Sequence, residues 1–457
     1  MTSKLALPQL SLAKDKIRVL LLEGVNDSAV QLIEAAGYSS MTRLSKALEG
    51  DALKEAIKGV HLLGIRSRTQ ITTDVLEAAD RLIAIGCFSV GTNQVDVDAA
   101  RQNGIPVFNA PFSNTRSVAE LVIGEIVILL RRIVARSNAA HQGRWDKSAN
   151  DSYEVRGKTL GIIGYGNIGS QLSNLAEALG MRVIFYDHTD KLRHGNTEPT
   201  ASLRDLLAQS DVVTLHVPET SATHGMIGRE EIAAIKPGAY FVNNSRGTVV
   251  DLEALADALR EGRLRGAAVD VFPVEPRSNA DPFVSPLQGL ENVILTPHIG
   301  GSTEEAQERI GAEVARKLID YSDSGSTMGA VNFPQVQLPP RPSGTRFIQV
   351  QRNLPGMLGR LNEVLRATPS TSPRNITRPT TTSATWCSTP MPPRPTASVY
   401  WRTSGLWRAP FAPDCSTNTR FESVATPPAA SAVAHHTSAC ATAIRPARSG
   451  NGEATIC

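Results

Sequence analysis

Cysteine is scarce in this chain of 457 residues: there are five, and only Cys87 falls before residue 380. A single thiol in that stretch excludes a disulfide framework or a cysteine metal cluster there, so no metal is expected, and it fits a reducing compartment such as the cytoplasm. Long apolar runs are missing too. The most apolar stretch, Leu121 to Leu130, is short and interrupted by Glu125, and the N-terminus has no apolar signal core, so neither a membrane span nor a secretion signal is expected. Charge of one sign is also lacking. The 47 basic and 44 acidic residues leave a net charge of +3 and are interspersed, which argues against nucleic acid or an anionic membrane as partner.

The length predicts two or three domains. From Ile17 to Asn109, short apolar strands (18–22, 60–65, 82–85 and 105–107) alternate with helical stretches, and a long helix is predicted from Ser117 to Arg136. Gly164-Tyr165-Gly166-Asn167-Ile168-Gly169 follows the strand-like run 159–163 and opens a helix-like stretch from Asn167 to Leu179. That context makes it a dinucleotide-binding fingerprint. Gly164 allows the tight turn, Gly166 the approach of a pyrophosphate, and Gly169 close packing of helix on strand. The next strand, 182–186, ends in Asp187, where a carboxylate accepts ribose hydroxyls and repels a 2'-phosphate, favouring NAD over NADP despite Arg193 nearby. Further strands at 212–216, 240–243, 267–271 and 293–296 make six, implying a doubly wound parallel sheet.

Ligands of such sheets lie beyond the carboxyl ends of the strands. There the chain offers Asn244-Ser245-Arg246, Glu275, and His298-Ile299-Gly300-Gly301. An arginine fork for a carboxylate, a histidine to accept a proton and a glutamate to tune it form the set needed to oxidise a 2-hydroxy acid. Arg246, Glu275 and His298 are therefore the candidate catalytic residues, and Asp270 at a strand end is placed to hold a nicotinamide carboxamide. Arg66-Ser67-Arg68, directly after a strand, can present two forks to a phosphate or second carboxylate. A helix from Thr303 to Tyr321 is expected to return to the first domain, so that the nucleotide domain is an insertion within it.

These residues resemble the D-isomer-specific 2-hydroxyacid dehydrogenases. The resemblance runs from Lys14 to Leu365 and is most specific at Leu63 to Thr69, Ile85 to Phe88, Gly91 to Asp96, Phe108 to Glu125, the fingerprint, Ser245 to Asp251, and Thr296 to Ser302. It implies a Rossmann domain (114–300) inserted in a flavodoxin-like substrate domain (13–113 and 301–335), and oxidation of 3-phosphoglycerate with NAD. It implies that Arg246 and Glu275 are active-site residues and His298 the proton donor. Gly164, Gly166, Asn167, Ile168, Gly169, Asp187, Asn244, Ser245, Arg246, Asp270, His298, Ile299, Gly300 and Gly301 would contact cofactor. Arg66, Ser67, Arg68, Asn114 and Arg246 would contact substrate. A cytoplasmic homodimer through the nucleotide domains is implied as well. Reduction of hydroxypyruvate, glyoxylate or 2-oxoglutarate would use the same three catalytic groups, and an NAD-sensing corepressor remains a non-enzymatic alternative.

Residues 345–366 resemble the start of a serine-binding regulatory ACT domain, with Gln351 where that pattern usually has histidine. After Arg366 the resemblance stops. The remaining residues are roughly four-tenths Ser, Thr and Pro and contain no lysine, a composition that predicts a disordered tail over 367–457. Back-translation of Arg408 to Asn418 allows a shifted frame reading Gly-Thr-Phe-Arg-Ala-Arg-Leu-Leu-Tyr and then a stop, as expected for the end of an ACT domain. A frameshift near codon 367 accounts for both observations, and tetramer formation and serine feedback would require that domain intact.

Overall fold

Short strands alternating with capped helices build two separate parallel sheets. The computed structural model describes residues 12–276 and 280–338, and beyond them 345–352, 359, 360, 363, 375–378 and 395–402. The first sheet contains β1 (Val19–Leu21), β2 (Met41–Arg43), β3 (Leu62–Ile65), β4 (Ala84–Cys87) and β5 (Val107–Phe108). Its order is β2-β1-β3-β4-β5, a flavodoxin-like winding. Leu62, Leu63 and Ile65 are buried regardless of which face they occupy, because helices cover both sides of a parallel sheet. The helices between these strands are α1 (Asp27–Ala35), α2 (Gly50–Ala56), α3 (Thr73–Ala78) and α4 (Val97–Gln102).

Next come α5 (Thr115–Leu130) and α6 (Ile133–His141). The single long helix expected over 117–136 is thus two, because Arg132 adopts a left-handed conformation (φ 53°). Neither glycine nor proline stands at Arg131-Arg132 to signal a stop, which is why the break was not legible.

The second sheet holds β6 (Thr159–Ile163), β7 (Arg182–Tyr186), β8 (Glu198–Pro199), β9 (Val212–Leu215), β10 (Tyr240–Asn243), β11 (Gly266–Val269) and β12 (Val293–Leu295). Its order is β12-β11-β10-β9-β6-β7-β8, all parallel. This is the Rossmann order with one further strand, and the winding reverses between β6 and β9. Seven strands replace the six expected. The addition, β8, is two exposed residues including a proline, which only an edge tolerates. The edge strand β2 went unread for a similar reason, since Met41-Thr42-Arg43 is short and not apolar throughout.

Period-two alternation sends Leu160 and Ile162 into the core under α5, and Ile163, Val213 and Leu215 into the core on the opposite face. The other helices of this sheet are α7 (Asn167–Ala178), α8 (Leu203–Gln209), α9 (Arg229–Ala234) and α10 (Leu252–Arg260). In α10, Asp251 caps the N-terminus by accepting from the Ala254 N–H at 3.0 Å, and Leu252, Leu255 and Leu259 form the buried stripe. Each fully buried leucine of this kind contributes about 1.5–3 kcal/mol.

After β12 the chain returns to the first sheet. Helix α11 (Glu304–Ser324) is capped by Thr303, and its buried Ile310, Val314 and Leu318 join the core beneath β1 and β4. The Val331 N–H then donates to the Val107 carbonyl at 2.8 Å.

Strands β13 (Thr345–Arg352), β14 (Asn375–Arg378) and β15 (Pro395–Arg402) form an antiparallel sheet in the order β13-β15-β14. Two of these strands, β14 and β15, fall within 367–457, the stretch expected to be a disordered tail. Ser398-Val399-Tyr400-Trp401 includes β-branched and aromatic types that favour strands whatever the average composition around them. The rest of 367–457 lies outside the described residues. Among the described residues no helix is long and apolar enough to cross a membrane.

Candidate active site

The fingerprint forms the turn between β6 and α7. Gly164 has φ +91°, and a Cβ there would lie 2.5 Å from the His216 carbonyl oxygen at the end of β9. A Cβ on Gly169 would press on the Gly164 carbonyl oxygen, whereas one on Gly166 would meet nothing within 4 Å. The turn is closed on its protein side and open in front. Gly166 caps α7 without a side-chain hydrogen bond, leaving the first N–H groups of the helix available to an anion. Asp187 follows β7 with its side chain 7 % exposed. Its Oδ2 accepts from the Tyr165 N–H at 2.9 Å and its Oδ1 from the Thr189 N–H at 3.1 Å. Burial alone would raise this carboxyl, but the bonds from Thr189 and Tyr165 outweigh it and hold the group below the usual carboxylate range. Lys191 Nζ stands 3.8 Å from Oδ1.

The three candidate catalytic residues come together at the carboxyl ends of β10, β11 and β12. His298 Nδ1 lies 2.8 Å from Glu275 Oε2 and 3.0 Å from Oε1. The Glu275 hydrogen bond raises the imidazole above its ordinary value against the opposing effect of burial. For Glu275, burial pulls upward, but the bond and charge of His298 prevail and leave the carboxyl lowered. Both directions describe one ion pair. With Nδ1 occupied, Nε2 is the nitrogen left for substrate. His298 itself has left-handed backbone, φ +54°, a strained state that persists only when its surroundings dictate it.

Asp270 supplies that constraint. It is 1 % exposed, and its carboxylate accepts from Thr296 Oγ1 at 2.6 Å and from the Ile299 and Gly300 N–H groups at 2.8 Å each; its carbonyl takes the His298 N–H at 2.8 Å. The expectation for Asp270 named only the nicotinamide; the structure gives it the further task of fastening the histidine loop.

Arg246 is largely buried, and burial lowers its guanidinium against the opposing charges of Glu219 and Glu275; it remains cationic in neutral water. Gly247 lets its loop close on the Glu275 loop, because a Cβ there would collide with the backbone of Phe272 and Pro273. The guanidinium reaches the first sheet's side of the cleft, with Nη2 3.2 Å from where a Cβ of Gly91 would stand. Glu219 reinforces this approach, accepting from Asn93 Nδ2 at 2.7 Å and from Thr248 Oγ1 at 3.0 Å.

Arg66, Ser67 and Arg68 form the loop after β3. Arg66 is half-buried, and its Nη2 donates to Gln307 Oε1 at 2.7 Å, while Ser67 and Arg68 are exposed. Gln307 Nε2 in turn donates to the Gly301 carbonyl at 3.1 Å. One side chain thus connects the arginine loop to the loop of His298. Asn114 precedes α5 without capping it; its Oδ1 is buried and unpartnered, and its amide nitrogen lies 2.6 Å from a Cβ position on Gly301. Gln307 and Glu219 were not expected from sequence, since an isolated polar residue in a helix or loop carries no pattern. A cavity of about 380 Å³ lies against the fingerprint helix, lined by Arg116, Asn167, Gln171 and Arg309 among others; it touches the phosphate turn but not His298.

Behind the site, Asn244 and Glu125 have both side-chain polar atoms buried without a hydrogen-bond partner. Burial pushes the Glu125 carboxyl up to about 8, the facing Asn244 amide opposing and Asp270 adding to the rise.

Residues 123–300 match the model of the D-isomer specific 2-hydroxyacid dehydrogenase, NAD binding domain. The D-3-phosphoglycerate dehydrogenase of Haemophilus influenzae is 57 % identical over 356 residues, covering 78 % of this chain and 87 % of that one. The chain belongs to the D-isomer-specific 2-hydroxyacid dehydrogenases. The D-3-phosphoglycerate dehydrogenase of Escherichia coli is similar at 58 % identity with the same coverage. Among solved structures, the D-lactate dehydrogenase of Aquifex aeolicus, complexed with NAD and lactic acid, is 28 % identical with a TM-score of 0.62, covering 70 % of this chain and all of that one. The chain is accordingly an NAD-dependent oxidoreductase of this family, with the α/β Rossmann architecture expected from its sequence. Its residues fit the cofactor: the open space over Gly166 suits a pyrophosphate, and the Asp187 carboxylate at the end of β7 suits a ribose.

Proposed function

We propose that the protein oxidises 3-phospho-D-glycerate to 3-phosphohydroxypyruvate with NAD, the first step of serine synthesis. The observation that carries this reading is the His298–Glu275 ion pair beside Arg246, facing a loop that holds Arg66 and Arg68. Gly164, Gly166, Asn167, Ile168, Gly169 and Asp187 would hold the dinucleotide, with Asn244, Ser245, Asp270 and 298–301 at its nicotinamide end. Bound NAD supplies the acceptor for the hydride.

Arg246 binds the substrate carboxylate as a fork and holds the C2 hydroxyl toward His298. His298 Nε2 takes the hydroxyl proton, and Glu275 at Nδ1 fixes the tautomer and stabilises the imidazolium so formed. In the reverse direction the same nitrogen returns the proton. Arg66 and Arg68 face the phosphate end, and Asn114 contributes at the crossing between domains.

The domain reading belongs to this proposal: residues 13–113 and 301–335 would carry the substrate loops, and 114–300 the cofactor. It further includes a cytoplasmic location, a homodimer through the nucleotide domains, and off-frame translation of a regulatory ACT domain from about residue 367.

The test is NAD reduction with 3-phosphoglycerate, with and without serine, beside NADH oxidation with 3-phosphohydroxypyruvate and with a panel of hydroxypyruvate, glyoxylate and 2-oxoglutarate. Expected are a clear preference for the phosphorylated pair and no response to serine. A larger kcat/KM on a phosphate-free acid would overturn the substrate, and a gene with one intact frame on both sides of codon 367 and no synonymous fit to the shifted reading would overturn the reading of the tail.

A further inference from the structure

Glu23 lies just beyond β1, far in sequence from every group of the active site, and is 9 % exposed. Its carboxylate accepts three backbone hydrogen bonds from the loop after β3. Oε1 takes the N–H groups of Arg66 at 3.2 Å and Thr69 at 2.9 Å, and Oε2 takes that of Arg68 at 3.0 Å. The other edge of the loop is also held: Gln94 Nε2 donates to the Arg66 carbonyl at 2.6 Å and to Ser89 Oγ at 3.1 Å.

Glu23 reaches this position through left-handed backbone, φ +63°, followed by Gly24 at +61°. Such a conformation strains a residue with a Cβ, and it is retained where the surroundings fix it, often near a functional site. Three convergent N–H groups are themselves an anion-binding nest. Glu23 fills that nest from the protein side. An incoming anion therefore meets the guanidinium groups of Arg66 and Arg68 rather than the backbone, and the Glu23 charge attracts the Arg66 guanidinium.

We propose that Glu23 is a positioning residue for the anionic tail of the substrate: it fixes the 66–69 loop so that Arg66 and Arg68 meet the phosphate together. The inference rests on the substrate reading above. It predicts an effect confined to substrates that carry the phosphate, which a merely structural role would not produce.

The test compares wild type with Glu23→Gln, which keeps the size but turns an N–H donor toward a backbone N–H. Steady-state constants are measured for 3-phosphoglycerate, for the phosphate-free D-glycerate and for NAD. The expected result is a KM for 3-phosphoglycerate raised by ~10-fold or more, the loss that follows when a buried donor is left unpaired, with kcat and the KM of NAD changed far less. The KM for D-glycerate should move little. An equal rise for both acids, or no change in either, overturns the proposal. Should Glu23→Gln fail to fold, Glu23→Asp keeps the charge with shorter reach, and a wild-type KM for 3-phosphoglycerate in that variant also overturns it. A wild type that does not prefer 3-phosphoglycerate over D-glycerate sinks the substrate reading itself; a wild type that does, with Glu23→Gln unaffected, sinks only the role of Glu23.

Discussion

The two sheets bring polar groups to their carboxyl ends in different ways. In the larger sheet the candidate catalytic residues sit on loops that follow consecutive strands, and neighbouring loops fasten one another: Asp270 binds the loop 296–300, and Glu275 binds His298. In the smaller sheet the arginine loop is fastened by side chains from three other places in the lobe: Glu23 after β1, Gln94 before α4 and Gln307 in α11. The first arrangement places reacting atoms on rigid strand ends. The second fixes the proposed substrate loop through side chains that belong to both the start and the end of the smaller lobe. Chemistry on one lobe and specificity on the other should therefore be separable by mutation.

The largest effect should follow from removing the proton acceptor. His298→Ala is expected to lower kcat by ~10²–10⁴-fold while leaving NAD affinity, read by fluorescence titration, close to wild type. Retained turnover would remove His298 from its role. Next in size, Asp187→Ala removes a carboxylate that braces the fingerprint and faces the ribose site, so the KM for NAD should rise by ~10–100-fold, the loss of a charged hydrogen bond. The KM for the hydroxy acid should barely respond. If both constants rose together, the separation between lobes would fail.

A smaller change, in shape rather than size, is expected from Glu275→Gln. Oxidation requires neutral His298, and Glu275 raises the imidazole above 6.5, so wild-type oxidation should rise with pH through a value above 6.5. Without the carboxylate, burial and Arg246 still lower the imidazole and only the Asp270 charge still raises it. The rising limb of kcat/KM should then move to lower pH. A limb that stays in place would assign the titration to another group.

The difference between the sheets also marks what could be read from sequence. The fingerprint, Asp187 and the strand-end groups Arg246, Glu275 and His298 are local patterns: a glycine spacing, an acid after a strand, a polar residue after an apolar run. The alternation of strands and helices implies a doubly wound parallel sheet, whereas the flavodoxin-like winding of the smaller one was implied only by the family resemblance. Glu23 and Gln307 have no such signature, because the arginine loop they hold lies 43 residues or more away. The task of Asp270 was half legible. Its strand-end position pointed to the cofactor, but its bonds to Thr296, Ile299 and Gly300 depend on the pairing of β11 with β12. Edge strands such as Glu198-Pro199 were invisible because neither apolar alternation nor β propensity marks them.

The smallest effect concerns a group behind the chemistry. Glu125, 2 % exposed in α5, has a carboxyl raised to about 8 with Asp270 and the Asn244 amide facing it. Its folded value exceeds its ordinary one, so the folded chain holds the proton more tightly than the unfolded chain does. The stability this contributes is fully present below about 4.5 and is lost as pH rises toward 8. Glutamine has the same shape and no charge to bury. Glu125→Gln should match wild type in thermal midpoint near pH 4.5 and exceed it by a few °C at pH 8, at roughly 2–4 °C per kcal/mol for a domain of this size. Activity near pH 7, where the Glu125 carboxyl is still mostly protonated, should be nearly unchanged, since Glu125 touches neither His298 nor Arg246. Parallel midpoint curves for the two proteins across that range would mean that Glu125 titrates normally, and that the polar pair behind the nicotinamide end is solvated rather than dry.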